Sequence, residues 1–217
     1  MGAKDLRNAV IDSVRELDKL GYLPGSSGNS SVRTDDDTVL VTPSGLPYAG
    51  LEADDLIRID MDCNILEGDL KPSTETPMHT GVYRERPDVQ CIVHTHSRFC
   101  TVLACLGMEI PPMHYMLATI NSDGTIPLAP YATYGTEELA QGAADAIGEA
   151  GGGCLLANHG MLAVGTDPAK AVDHTIVMEE VAAAYYHALA IRPPNILNPE
   201  QVAEVAAKIG GYGQPKS

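Results

Sequence analysis

The amino-acid sequence predicts a single α/β domain, spanning residues 1–217, in which strands and helices share one core. Three observations carry that prediction. After an initial amphipathic segment, the first third is a series of short apolar or alternating runs broken by Gly, Pro, Asn and Asp, the grammar of β-hairpins. From Ser73 onward, helical and strand-like segments alternate. No repeat, low-complexity tract or linker divides the 217 residues, a length that compact α/β domains commonly reach. Surface scaling lets such a chain bury about 70% of its unfolded surface, so neither a disulfide nor a metal is needed to hold it together.

The elements follow in order. Leu6, Val10, Val14 and Leu17 stand at helical spacing before Gly21, predicting a helix over 4–20. A Gly/Ser/Asn stretch, Gly25 to Ser31, leads into strands at 31–33 and 38–42, joined through Thr34-Asp35-Asp36-Asp37 as a hairpin. Pro43-Ser44-Gly45 makes a turn, 56–60 a short strand, and Asp62-Cys63-Asn64 a second turn into Ile65-Leu66-Glu67-Gly68. This region reads as antiparallel. Ser73, Thr74 and Thr76 are N-cap types, and Pro77 suits a first helical turn, so a short helix runs to Arg86-Pro87. Val89 to Thr95 is a β-branched strand, and Ser97 caps a helix carrying Phe99, Val102, Leu103 and Leu106. A helix over 136–150 has Glu137 and Glu138 in its first turn and three glycines after it. Residues 154–157 and 161–164 form strands around Asn158-His159-Gly160. Thr166-Asp167-Pro168 opens the longest helix, to about Ala190, and Asn198-Pro199 caps a last helix to Ile209. The tail, 210–217, is expected to be mobile.

Fourteen Lys plus Arg against 29 Asp plus Glu give a net charge of −15, which disfavours nucleic acid and anionic membrane surfaces as partners. An anionic substrate must therefore be captured by backbone dipoles, a few arginines or a metal. Met1 to Leu20 mixes charge into every turn, and no run approaches 18 apolar residues, so a cytoplasmic protein is expected. Five cysteines, with Cys91, Cys105 and Cys154 in apolar stretches, fit reduced core thiols.

The strongest chemical signal is His94-Thr95-His96. Side chains two apart on a strand share a face, so these imidazoles can chelate. Two histidines on one face rarely serve a core, because each buried ring needs a hydrogen-bond partner. A tetrahedral metal wants a third protein ligand, and His159, at the end of another apolar strand, is the natural candidate. The fourth position is left to a carboxylate or a substrate. His79, His114, His174 and His187 lack such pairing and read as structural. Glu75, at the start of the helix leading into the histidine strand, reads by itself as a carboxylate offsetting the macrodipole. Three turns, Gly25 to Ser30, Thr42 to Gly45, and Ser73-Thr74, offer free amides and hydroxyls of the kind that bind phosphate oxygens. None matches a Walker or dinucleotide fingerprint.

Taken together, Gly28-Asn29-Ser30, Thr42-Pro43-Ser44-Gly45, Lys71-Pro72-Ser73-Thr74-Glu75, His94-Thr95-His96-Ser97, His114-Tyr115-Met116 and Asn158-His159-Gly160 resemble the class II aldolase and adducin head family, above all its fuculose-phosphate-cleaving branch. The resemblance implies an α/β fold with a mostly antiparallel central sheet flanked by helices. It implies one Zn2+ per subunit, or another divalent transition metal, on His94, His96 and His159, with Glu75 as acid/base and able to approach the ion. It implies phosphate binding at Gly28, Asn29, Ser44, Gly45, Ser73 and Thr74, where Thr74 stands for the family's second serine and keeps the hydroxyl. The implied reaction is reversible cleavage of a ketose 1-phosphate, such as L-fuculose 1-phosphate, into dihydroxyacetone phosphate and an aldehyde such as lactaldehyde. The metal would polarise the ketone and stabilise the enediolate. A homotetramer with sites between subunits is implied too, Tyr115 of a neighbour meeting the aldehyde oxygen and Tyr212 closing the site. Pentulose-5-phosphate 4-epimerase and methylthioribulose-1-phosphate dehydratase chemistry reuse the same parts. A non-catalytic adducin-type module would have no use for an open metal site, and a Schiff-base aldolase would need Lys71 as a desolvated amine.

Overall fold

The computed structural model describes residues 3–209. Helix α1 (Ala3–Lys19) turns Val10, Ile11, Val14 and Leu17 inward. The strands β1 (Asn29–Arg33), β2 (Val39–Val41), β3 (Ile57–Ile59) and β4 (Ile65–Glu67) form a meander, the β1–β2 turn closing on Asp37 with a left-handed φ of 59°. Then come α2 (Thr76–Glu85), β5 (Cys91–Thr95), α3 (Arg98–Cys105), β6 (Leu128–Ala129), α4 (Glu137–Ile147), β7 (Gly153–Leu156), β8 (Gly160–Gly165), α5 (Pro168–Leu189) and α6 (Pro199–Ile209).

One eight-stranded sheet in the order β4-β3-β2-β1-β5-β8-β7-β6 joins both halves of the chain. Every pairing is antiparallel except β6 with β7, so the sheet is mixed but mostly antiparallel, as expected. Strand β6 is too short to leave a period-2 pattern in the sequence, and so is invisible there. The same holds for short 3-10 turns at Tyr48–Gly50, Ala53–Asp55 and Tyr115–Thr119.

The pleat sends alternate residues to opposite layers. Ile92, Leu162 and Val164 face a core completed by Met78, Val82 and Tyr83 of α2 and Leu139 and Ala143 of α4. Cys91 and Val93 face α1 and α5, while Met161 and Ala163 face α3 and α5. Each fully buried Leu, Ile or Met adds about 1.5–3 kcal/mol. By the same alternation His94 stands on the Ile92 side, facing α2. The His94 imidazole is thereby committed to one layer of the sheet.

Helix α3 departs from the sequence reading. Its buried face is Cys100, Leu103 and Ala104, while Leu106 is 61% exposed. The small side chains at 100 and 104 let α3 pack closely on α5 and Leu155, and large apolar residues at 99, 102 and 106 mislead the periodicity. Cys105, expected as a core thiol, is exposed at the last position of α3. Cys91 and Cys154 are buried as expected, and burial pushes both thiols up to about 12, which keeps them unreactive. Among the described residues no helix is long and apolar enough to cross a membrane.

Candidate active site

Three imidazoles and one carboxylate meet at the end of β5. His94 lies on β5, His96 follows it immediately, and His159 sits in the turn between β7 and β8. That turn needs two local exceptions. Asn158 adopts a left-handed φ of 56°, which Asn tolerates better than most residues, and this presents His159 toward β5. Gly160 has no room for a side chain, since a Cβ there would come within 2.4 Å of the Thr95 carbonyl oxygen and 3.0 Å of His96 Cδ2.

The ring centroids of His94, His96 and His159 stand 4.8–5.0 Å apart in mutual edge-on arrangement. His94 Nδ1 donates to the Met161 carbonyl at 2.8 Å, which leaves Nε2 with its lone pair toward the other rings. Glu75 is the N-cap residue of α2 but makes no side-chain cap bond, so its carboxylate is not spent on the helix. Instead its Oε2 is 3.2 Å from His94 Nε2 and its Oε1 3.1 Å from His159 Nε2. The four ligand atoms all lie within 4.8 Å of one another.

This donor set fits a divalent transition metal. Glu75 Oε1 is buried without a well-formed hydrogen bond, as an atom facing a metal position would be. Desolvation followed by repulsion from His94 and His159 pushes His96 down to about 4, so the ring is neutral, the form that ligates. Burial opposes the Glu75 charge, yet the His159 and His94 imidazoles hold its carboxyl well below the usual carboxylate range.

The three candidate cradles converge on this cluster. One cavity of about 330 Å³ is lined by Ser26, Ser27, Gly28, Asn29, Ser44, Gly45, Ser73 and Thr74 together with Glu75, His96 and His159. Backbone bonds from Ser44 to Lys71 and from Ser73 to Thr42 zip the second cradle to the third. Gly28, at φ 82°, admits no Cβ, which would stand 2.6 Å from the His94 carbonyl and 2.5 Å from Leu23. The first cradle is thus pressed against the histidine strand. The buried Tyr48 hydroxyl donates to the Gly28 carbonyl, and desolvation followed by the Glu75 charge raises its pKa, so it remains a donor. Among the described residues lining the cavity there is no lysine or arginine. Asn29 is here too, but its side-chain amide donates to Glu75 Oε2 at 2.9 Å.

Of the two anticipated tyrosines, neither is among the described residues lining this cavity. Tyr115 is 52% exposed, stacked at 4.9 Å on His114, and does not line it. Tyr212 lies outside the described residues. Lys71 is exposed, which removes the desolvated amine a Schiff base requires.

Sequence reasoning missed two neighbours. Tyr134 lines the cavity while 65% exposed, and its segment carries no motif that would have announced it. The buried carboxylate of Glu179 accepts from Ser97 Oγ at 2.8 Å and from the amides of Phe99 and Cys100 at 2.9 Å. It caps α3 and holds the turn following His96, a contact across some 80 residues that no local pattern shows.

Known proteins align with this arrangement over most of the chain. Residues 8–186 match the model of the class II aldolase and adducin N-terminal domain. The chain is 42% identical over 208 residues to a 5-methylthioribulose-1-phosphate/5-deoxyribulose-1-phosphate aldolase of Rhodospirillum rubrum, covering 96% of this chain and 92% of that one. It is 37% identical over 214 residues to the L-fuculose phosphate aldolase of Escherichia coli strain K12, covering 98% of each. A solved L-fuculose 1-phosphate aldolase superposes with a TM-score of 0.91 at 34% identity, covering 97% of this chain and 98% of that one. By sequence and by fold, this chain belongs to the class II aldolase and adducin N-terminal domain family, as one of its metal-dependent lyases.

Proposed function

We propose that this protein reversibly cleaves a ketose 1-phosphate into dihydroxyacetone phosphate and an aldehyde. The observation that carries this reading is the shared cavity: phosphate-type cradles and a three-imidazole, one-carboxylate cluster open on one space, and Glu75 borders both. His94, His96 and His159 hold the ion, which is zinc because neutral imidazoles suit a borderline-soft cation better than magnesium or calcium. When bound, it supplies Lewis-acid polarisation of the substrate carbonyl. The amides and hydroxyls at Gly28, Asn29, Ser44, Gly45, Ser73 and Thr74 orient the phosphate. Glu75 moves the proton at the carbon that becomes nucleophilic, with Asn29 holding one of its oxygens.

In this reading the protein is a tetramer in which a neighbouring subunit supplies the phenol of Tyr115, exposed in the single chain, to the aldehyde oxygen, with Tyr212 closing the site. Tyr115→Phe should then slow carbon–carbon cleavage about 10²-fold or more while leaving hydron exchange at dihydroxyacetone phosphate intact. Both rates are measurable on the same sample, and their joint loss would make Tyr115 a structural residue.

The substrates named for the aldolases reported above share a phosphate on a ketose whose far end is deoxygenated or a thioether. A 5-deoxypentulose 1-phosphate, 5-methylthioribulose 1-phosphate and L-fuculose 1-phosphate therefore form the first panel, read by coupled detection of dihydroxyacetone phosphate. The R. rubrum relative is named an aldolase on the ketose phosphate that the dehydratase alternative would use, which favours cleavage over dehydration. Equal turnover of dephosphorylated ketoses would remove the cradle argument. Epimerisation of a pentulose 5-phosphate, or loss of water from methylthioribulose 1-phosphate, in place of cleavage would overturn the reading.

A further inference from the structure

A buried chain of hydrogen bonds ends on Glu75, and only its last two members, Asn29 and Glu75, belong to the site described above. His79, on α2, is fully buried. Its Nε2 is 2.5 Å from Asn29 Oδ1, and its Nδ1 is 2.7 Å from Ser31 Oγ. Ser31 Oγ is in turn 2.8 Å from the Tyr83 hydroxyl. Asn29 and Ser31 project from the same face of β1, and His79 and Tyr83 lie one helical turn apart on α2.

The carboxylate end fixes the direction of every bond. Ionised Glu75 can only accept, so Asn29 must face it with Nδ2 and turn Oδ1 toward the ring. That oxygen can only accept as well, so His79 must carry its proton on Nε2. Nδ1 then accepts from the Ser31 hydroxyl, whose oxygen accepts from Tyr83. Burial, followed by repulsion from His94, pushes His79 down to about 3, so the ring stays neutral and the pattern does not reverse. A flipped Asn29 would set a carbonyl against the carboxylate and leave its own amide facing an N–H. Asn29 has no orientational freedom while the ring is in place.

We propose that His79 is a positioning residue: as the Nε2-protonated tautomer it locks the Asn29 amide, and through it the Glu75 carboxylate, in the orientation needed for proton transfer. This role rests on the acid/base reading of Glu75 given above.

The test has two arms. Nitrogen-15 NMR of imidazole-labelled protein reads the tautomer without any turnover, and Nε2 protonation of His79 is expected. Protonation on Nδ1 would overturn the proposal. In the second arm, His79→Leu should lower the rate of hydron exchange at dihydroxyacetone phosphate about 10- to 100-fold, with little change in KM and the same metal content as the parent. His79→Gln, whose amide restores a donor toward Asn29, should recover most of that rate. If His79→Leu fails to fold, Ser31→Ala replaces it, removing the hydroxyl that occupies Nδ1, with the same kcat-selective loss expected. Variants that lose thermal stability but keep kcat would show a purely structural histidine and overturn the proposal. No exchange in the parent would bring down the acid/base reading and this role with it, whatever tautomer NMR reports.

Discussion

Replacing any one of His94, His96 or His159 by alanine is expected to abolish turnover and release the metal, while the chain stays folded. The loss is large because the Lewis-acid contribution is worth several kcal/mol of barrier, and a site with two imidazoles and a carboxylate holds a divalent ion far more weakly than one with three. The fold survives because both layers of the core are built from buried aliphatic and aromatic side chains remote from the ligand atoms. The three variants differ in stability. His94 is fully buried and donates to Met161, so His94→Ala strands that carbonyl at a cost of about 1–3 kcal/mol. His96 and His159 are partly exposed and should cost less. Metal content by elemental analysis and thermal unfolding monitored on the same preparations check both statements. Full activity in a verified metal-free sample would sink the metal assignment.

Glu75→Gln is expected to keep the ion and lose about 10²- to 10⁴-fold in rate, the usual contribution of a positioned carboxylate to proton transfer. The substitution is nearly isosteric, and the glutamine carbonyl can still accept from Asn29, so the cavity keeps its shape. What disappears is a base. Hydron exchange between dihydroxyacetone phosphate and solvent, which involves no aldehyde, is the direct measurement. Exchange as fast as in the parent would reduce Glu75 to a residue at a helix start.

Much of the fold was legible because its signals are local. The helices begin at Asp167-Pro168 or Thr136 and stop at prolines or glycines, and the strands of the meander are separated by turn residues. The meeting of the three imidazoles was legible for a related reason: His94 on β5 and His96 just past its end are two residues apart, and His159 lies in a turn whose backbone needs Asn158 and Gly160. Glu75 was ambiguous, since a first-turn glutamate looks the same whether it stabilises a helix or faces a metal. Only the absence of a cap bond and the 3.1–3.2 Å contacts to two imidazoles separate the two. Glu179 and His79 were beyond reach because their partners are far away in sequence. His79 read as a structural histidine, and burial alone would have kept it so. The α3 face failed because small side chains, which periodicity discounts, decided which side packs.

Among the described residues, the cavity lining holds no lysine or arginine, which bears on how a phosphorylated substrate would reach it. A phosphate dianion approaching a chain of net charge −15 meets a cavity whose described lining offers dipoles, hydroxyls and the imidazole cluster, where a divalent ion would supply the local positive charge. Long-range electrostatics therefore oppose encounter, where most phosphate sites are aided by it. Added salt shortens the Debye length to about 10 Å at 0.1 M, screening the repulsion while hardly touching short-range bonds inside the cavity. Association with the phosphorylated ketose should consequently quicken, and its KM fall, as ionic strength rises from the millimolar range. With charge opposing the approach, shape and hydrogen-bond count inside the cavity are left to choose the substrate.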